Sequence, residues 1–302
     1  MIGDRSSAWR RIAPVAALLI VIAAMLGAAL TTGTGVTPDS PPFAPATFLL
    51  LFVIGIVAGI LGGLIGVGGS TIMLPIMYFY LGFPGPIAIG TGLFVVIFTS
   101  LSGASGHLVR GNLDRRVATW IAAGGLIGVL IGSWLFSFLV SYTHILGLIL
   151  GLVFLAPSIN MIREGLRPPA RTEPEQIGGT PPAHLLFGAG VGVLTGITGL
   201  GGGYALIPGL LYLFGAPVAL TAGTSLASML PMAILGGGLK LVAGHVAIGV
   251  GLVLAAGSIA GAQVGAATIR RFKPATLKLI FGIYFLYAAI RFISEYFGIG
   301  LL

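Results

Sequence analysis

The stretch GLIGVGGSTIMLP, from Gly63 to Pro75, interrupts an apolar run with glycines and a serine where a membrane helix would be expected to continue. A second stretch, GITGLGGGYALIP from Gly196 to Pro208, follows 133 residues later. Consecutive glycines break a helix because they lose more backbone freedom than other residues when they enter it. The two stretches therefore predict two broken helices in one chain.

The 133-residue shift aligns glycines and prolines far outside these two stretches. The matched pairs include Gly55 with Gly188, Gly59 with Gly192, Pro75 with Pro208, Gly90 with Gly223, Gly111 with Gly244, Gly128 with Gly261 and Gly132 with Gly265. An ungapped match of this length is hard to obtain from a glycine-rich composition alone. We interpret it as an internal duplication.

Composition assigns the chain to the membrane. Of its 302 residues, 57% are hydrophobic and 7% are charged, and the mean hydropathy is +1.10. Apolar runs of about 20 residues can cross a hydrocarbon core of about 30 Å, and short polar loops separate such runs here. The sequence therefore predicts an all-α polytopic membrane protein. With no cysteine, disulfides and thiolate chemistry are excluded.

The formal charge of +8 arises from cations that cluster at the ends of apolar runs. The clusters are Arg5, Arg10 and Arg11; Arg110, Arg115 and Arg116; Arg163, Arg167 and Arg171; and Arg270, Arg271 and Lys273. This is the positive-inside pattern of membrane proteins. We expect a multi-pass membrane protein with a cytoplasmic N-terminus, the lipid bilayer as partner and no nucleic acid; a homo-oligomer is left open.

Two polar segments divide the chain into four parts. Residues 1–45 are predicted to hold a signal-anchor helix, from Ile12 to Leu30, and a proline-rich connection; whether this helix is cleaved is left open. Residues 46–163 form the first transmembrane repeat, 164–183 a cytoplasmic linker, and 184–302 the second repeat. Between nine and eleven crossings are compatible with this division.

The two repeats are predicted to have inverted topology. The loops Arg110–Arg116 and Arg270–Lys278 should both be cytoplasmic because both are basic. A single helix, Val246 to Ile269, separates the second loop from Gly244, so Gly244 should lie outside while its equivalent, Gly111, lies inside. Secondary transporters often consist of inverted repeats with a substrate site near the midplane, between broken helices.

The glycine stretches offer the chemistry of an anion site. A helix that begins after a break presents unpaired amides and the positive end of its dipole. The candidate substrate-binding residues in the stretches are Gly66, Gly68, Gly69, Ser70 and Thr71 in the first, and Gly199, Gly201, Gly202, Gly203 and Tyr204 in the second. The alternative is that these glycines only allow close helix packing. We prefer that alternative for Gly124, Gly128 and Gly132, and for Gly257, Gly261 and Gly265, which recur every four residues.

Four further residues complete the candidate site. Thr91 and Thr224 recur beside Gly90 and Gly223 in the two repeats, and Ser225 follows Thr224. Hydroxyl groups in membrane helices also often bond to their own backbone. Lys240 is a cation near the core and aligns with His107; its alternative role is snorkelling at a helix end.

The duplicated motif G-x-G-G-[GS], followed by an apolar run and proline, resembles the TauE/SafE family of sulfite exporters, and the resemblance extends from about Gly55 to Ile293. Ser70 departs from the motif by standing where the second copy has a third glycine. The resemblance implies export of sulfite, an organosulfonate or a related small anion, without an enzymatic activity, a cofactor or a metal. It does not specify the anion, the energy source or the direction of coupling.

The seven acidic residues lie in loops or near helix ends, so a cation site or a carboxylate proton relay is not expected.

Two other functions can be weighed against a transporter. The sequence GASGH, from Gly103 to His107, matches the pattern of a rhomboid-type intramembrane serine protease, with Ser105 as nucleophile and His144, His184 or His245 as base. Its repeat equivalent, GGGLK, lacks the serine. A passive anion channel of the same fold is the other alternative, and the sequence does not distinguish it from a transporter.

Overall fold

The computed structural model describes residues 45–167, 176–271 and 273–299, with a few isolated positions between 16 and 27. The predicted signal-anchor helix and proline-rich connection lie almost entirely outside these residues. The helices, in chain order, are α1 (Pro45–Ile65), α2 (Ser70–Pro75, continued by a π-helical turn, Ile76–Tyr80), α3 (Gly85–Val109), α4 (Arg115–Leu139), α5 (Thr143–Leu166), α6 (Pro181–Thr198), α7 (Gly203–Pro208, continued by a π-helical turn, Gly209–Leu213), α8 (Val218–Val242), α9 (Ile248–Thr268, followed by a 3₁₀ turn, Ile269–Arg271) and α10 (Pro274–Tyr296).

The all-α polytopic membrane fold is confirmed. Within the described ranges, seven helices are long and apolar enough to cross a membrane, namely α1, α3, α4, α5, α8, α9 and α10. Helix α6 has 18 residues, and the short helices Ser70–Tyr80 and Gly203–Leu213 follow the two breaks. Helix α5 continues to Leu166 and α6 begins at Pro181, so each helix extends a few residues into the range 164–183. The division into two repeats joined by a cytoplasmic linker stays a prediction.

Equivalent helices of the two halves have matching bounds. The 133-residue shift carries α2 onto α7 and α3 onto α8 at both ends, and it also superimposes the two π-helical turns. The main helix pairs are α4 with α6, α9 with α1, α3 with α8, and α5 with α10. When the halves are exchanged, the first two pairs map onto each other and the last two map onto themselves. This is the packing pattern of two similar units related by a two-fold axis.

Glycines on α4 and α9 allow two of these pairs to pack backbone to backbone. A Cβ built on Gly128 would collide with the carbonyl of Ala189 in α6, and one built on Gly261 would collide with the carbonyl of Ile56 in α1. The other glycines of the two stripes meet backbone in the same way, namely Gly124, Gly132, Gly257 and Gly265. The predicted packing role of these glycines is confirmed.

Helices α3 and α8 run in opposite directions through the centre. The Ala247 amide, just before α9, donates to Thr91 Oγ1 near the start of α3 at 2.9 Å. Likewise the Asp114 amide, just before α4, donates to Thr224 Oγ1 near the start of α8 at 3.0 Å. The end of each helix therefore lies beside the start of the other. Inversion of the repeats relative to a membrane stays a prediction.

Candidate functional site

The two glycine stretches form two tight turns inside the bundle. Helix α1 ends at Ile65 and α2 begins at Ser70, and in the second repeat α6 ends at Thr198 and α7 begins at Gly203. The turn glycines have positive φ: 87° at Gly66, 86° at Gly68, 79° at Gly69, 68° at Gly199, 74° at Gly201 and 86° at Gly202. Residues that carry a Cβ atom are strained in this conformation, whereas glycine adopts it readily. The glycines are therefore required by the backbone path.

The two turns contact each other between α3 and α8. A Cβ built on Gly203 would lie 2.5 Å from the Val67 Cα, which shows how closely the two backbones approach. Gly68 and Gly201 both face the side chains of Val96 in α3 and Met229 in α8, two residues that are equivalent under the repeat shift. The structure thus brings the two glycine stretches, 133 residues apart, to one place at the centre of the molecule.

Polar groups from neighbouring helices reach the turns. Ser225 Oγ donates to the Gly66 carbonyl at 2.8 Å, so this predicted residue is part of the cluster. A Cβ built on Gly92 would lie 3.5 Å from the Ser70 Cβ and 3.9 Å from the Gly199 carbonyl oxygen. Ser70 therefore lies close to the turn of the other repeat.

Four buried hydroxyl groups around the turns lack a hydrogen-bond partner of good geometry. Ser70, Thr71 and Thr195 are 0% exposed and Tyr204 is 2% exposed. The Tyr204 hydroxyl also interacts with the Thr198 side chain. Buried polar atoms are nearly always hydrogen-bonded, so unpaired hydroxyls in one cluster indicate a place where a polar ligand can bind.

Thr195 is a member of this cluster that sequence reasoning missed. A Cβ built on Gly202 would lie 2.7 Å from Thr195 Oγ1, so the hydroxyl faces the second turn directly. Its equivalent in the first repeat is Gly62, and the residue therefore has no counterpart that repeat comparison could detect. Its position four residues before Gly199, on the helical face that meets the turn, was the available signal.

The Thr91 and Thr224 hydroxyls have hydrogen-bond partners outside the turns. Each accepts the hydrogen bond from a loop amide described above, Thr91 from Ala247 and Thr224 from Asp114. These bonds tie the loops before α9 and α4 to opposite ends of the α3–α8 pair. A substrate-binding role for these two residues stays a prediction.

Lys240 lies beside the end of α6. It contacts Gly196 there, the residue that follows Thr195. It is 2% exposed, and its Nζ donates to the Gly196 carbonyl at 2.8 Å and lies 3.4 Å from the centre of the Phe136 ring. The equivalent His107 is 0% exposed and shares a 2.8 Å hydrogen bond between Nε2 and the Gly63 carbonyl. Both side chains therefore bind a carbonyl at the broken end of a helix, where donors and positive charge are favourable, and neither snorkels.

The contacts of Ser105 are those of a helix-packing residue. Ser105 Oγ donates to the Ser102 carbonyl at 2.7 Å and accepts from Gln263 Nε2 at 3.1 Å. His184 Nε2 pairs with the Gly178 carbonyl at 2.9 Å, and His245 packs edge-on against Phe136 near the opposite end of α3 from Ser105. The His144 side chain lies outside the described residues. These partners differ from the serine–histidine pair that a protease needs.

The described acidic residues lie at helix ends, as predicted. Asp114 caps α4 by accepting from the Val117 amide at 3.0 Å, Glu164 pairs with Lys278 at 2.5 Å, and Glu295 accepts from the Tyr78 hydroxyl at 2.7 Å. Within the described ranges, no group of three histidine or acidic side chains is placed to hold a metal ion. The groups found beside the turns are hydroxyls, backbone carbonyls and apolar side chains.

Comparisons with known proteins assign the chain to a family. The model of the family described as "Sulfite exporter TauE/SafE" matches residues 50–292. The chain is similar to the "Probable membrane transporter protein YunE" of Bacillus subtilis, with 27% identity over 82% of this chain and 98% of the relative. It is also similar to the "Probable membrane transporter protein MJ0441" of Methanocaldococcus jannaschii, with 27% identity over 76% of this chain and 90% of the relative. No solved structure matches it significantly. The chain is therefore a multi-pass membrane transporter that belongs to the TauE/SafE family.

Proposed function

We propose that this protein is a secondary transporter that exports a small anion, such as sulfite or an organosulfonate, across the bacterial inner membrane. The observation that carries the proposal is the contact between two glycine turns at the centre of the bundle, each at the start of a short helix and surrounded by unpaired hydroxyls. Membership of a sulfite exporter family supports the class of substrate.

The turns offer an anion several donors at once. The first amides of α2 and α7 have no partner within their own helices and point back towards the turns. Ser70, Thr71, Thr195 and Tyr204 add hydroxyl donors, and the described carboxylates lie at helix ends, where they have partners of their own. An oxyanion with three or more acceptor oxygens would satisfy these groups better than a halide, which lacks directional oxygen acceptors.

The packing of the two halves supports alternating access. Helices α3 and α8 are equivalent and antiparallel, and the main helix pairs map onto one another when the halves are exchanged. If both helices cross the membrane, the repeats are inverted, and each half can adopt the conformation of the other. Access would then alternate between the two faces while the anion stays between the turns.

Counterflow in proteoliposomes tests the proposal against a passive channel. Purified protein is reconstituted with a high concentration of unlabelled sulfite inside, and entry of labelled sulfite from a much lower outside concentration is followed at zero membrane potential. A transporter should accumulate label transiently above equilibrium, and the Gly202→Val variant should not. A channel would only equilibrate the label, and an absence of protein-dependent sulfite flux would overturn the proposed substrate.

A further inference from the structure

We infer that Met229 sets the size of the anion that the two glycine turns accept, because the end of its side chain covers the faces on which an anion would meet both turns. This inference rests on the proposed function and adds a specificity-determining residue to the proposed site. Met229 is not among the candidate residues predicted from the sequence.

The end of the Met229 side chain contacts both glycine turns. A Cβ built on Gly68 would collide with the Met229 Cε, and one built on Gly201 would lie 3.1 Å from the same atom. One methyl group therefore covers the open faces of two glycines that belong to different repeats. Met229 is 0% exposed, and its Sδ lies 3.6 Å from the Oγ of Ser225, which donates to the Gly66 carbonyl.

An anion between the turns needs the glycine faces that this methyl group covers. Glycine lets a ligand approach the backbone closely because the position of a Cβ atom stays free. At Gly68 and Gly201 that position is taken by the Met229 methyl group. A bound anion would therefore displace the methyl group, and the room that the side chain leaves limits the size of the anion.

The same two glycines also face Val96 of α3, the equivalent of Met229 under the repeat shift. The Val96 Cγ1 lies 2.9 Å from the Cβ built on Gly201 and 3.5 Å from the Cβ built on Gly68. A valine in a helix is largely restricted to one rotamer, whereas methionine has three rotatable bonds and adapts to irregular spaces. The two repeats therefore supply one rigid side chain and one movable side chain, and Met229 is the movable one.

Inhibition of labelled sulfite counterflow by two sulfonates of different length tests this role. Methanesulfonate and propanesulfonate carry the same charged group and differ only in the length of the alkyl chain. Met229→Ala should shift the ratio of their inhibition constants towards propanesulfonate by at least about tenfold, because the propyl chain can take the place of the missing side chain. Met229→Leu retains the side-chain volume and should keep the ratio close to that of the wild type.

Met232→Ala is the matched control, three residues further along α8. Met232 is also 0% exposed, but a Cβ built on Gly125 in α4 would collide with its Sδ, so this methionine packs on α4. The control should lose thermal stability as Met229→Ala does, and it should keep the wild-type ratio. An unchanged ratio in folded Met229→Ala, or the same shift in Met232→Ala, would overturn the inference. An absence of sulfite flux in the wild type would instead overturn the proposed substrate.

Methyl NMR of the wild-type protein tests the displacement without a destabilising substitution. In protein labelled with carbon-13 at the methionine methyl groups, Met229→Leu and Met232→Ala identify the two resonances. Saturating sulfite should shift the Met229 resonance, whereas the Met232 resonance should change little. If the Met229 resonance stays unchanged in protein that shows sulfite counterflow, the anion does not displace this side chain and the inference is wrong.

Discussion

Replacement of Thr195 by valine separates a ligand-binding hydroxyl from a structural one. The side chain is 0% exposed and its Oγ1 lacks a hydrogen-bond partner. Valine has nearly the same shape, so the substitution removes the hydroxyl without opening a cavity. If the hydroxyl only helped the fold, its removal would lower stability. An unpaired buried hydroxyl instead destabilises the protein by about 1–3 kcal/mol, and valine should remove that cost.

The expected magnitudes follow from these contacts. The free energy of unfolding should rise by about 1 kcal/mol, which corresponds to a melting temperature about 2 °C higher. The lost hydrogen bond to a charged ligand should weaken anion binding by about 1.5–3 kcal/mol, or roughly 10-fold to 100-fold. Stability and transport should therefore change in opposite directions, which few substitutions of a structural residue would produce.

Thermal unfolding in detergent and sulfite counterflow measure the two effects on the same preparation. Thr99→Val is the matched control, because Thr99 Oγ1 is also buried but has hydrogen-bond partners, Ser258 Oγ at 2.8 Å and the Val95 carbonyl at 3.1 Å. The control should lower the melting temperature and retain the sulfite affinity. Reduced stability with normal sulfite affinity in Thr195→Val would refute a ligand-binding role for its hydroxyl.

Three further predictions concern the glycines. Gly69→Val and Gly202→Val should each abolish sulfite flux with normal membrane insertion, because positive φ strains a β-branched residue by at least about 1–2 kcal/mol and the side chain fills the turn; normal flux at normal expression would make the turns packing elements. Gly128→Val should lower the yield of folded protein before it affects transport per molecule, because its side chain would collide with the α6 backbone; wild-type stability by size-exclusion chromatography would contradict that packing role. Accessible tags after Gly111 and Gly244 should label from opposite sides of the membrane, and labelling from one side would mean parallel repeats.

The fold could be predicted from the sequence because its strongest signals are local and repeated. The GVGGS and GLGGG clusters predicted the breaks, and the residues on either side showed the same register over both halves. The length of each apolar run predicted the length of a helix, because a helix pairs all of its backbone N–H and C=O groups in lipid and few other structures do so. Glycines every four residues on α4 and α9 similarly predicted the faces that contact α6 and α1.

The candidate site was predicted less completely than the fold. Contacts between helices decide which residues lie in it, and an alignment of the two repeats does not reveal those contacts. Thr91 and Thr224 were selected because they recur, yet each binds a loop amide in a symmetrical structural role. Thr195 was missed because its equivalent is Gly62, so the two halves differ where the hydroxyl lies. A ligand site in an inverted repeat can be asymmetric, whereas the scaffold around it needs to be similar in both halves.

Equilibrium binding of labelled sulfite to purified protein in detergent tests most directly whether the two glycine turns form one anion site. The wild-type protein should bind about one anion per chain saturably, since the two turns meet at a single place. The double variant Gly69→Val/Gly202→Val should show no saturable binding while it elutes as a folded protein. Undiminished sulfite binding by the folded double variant would contradict the assignment of the anion site to the glycine turns.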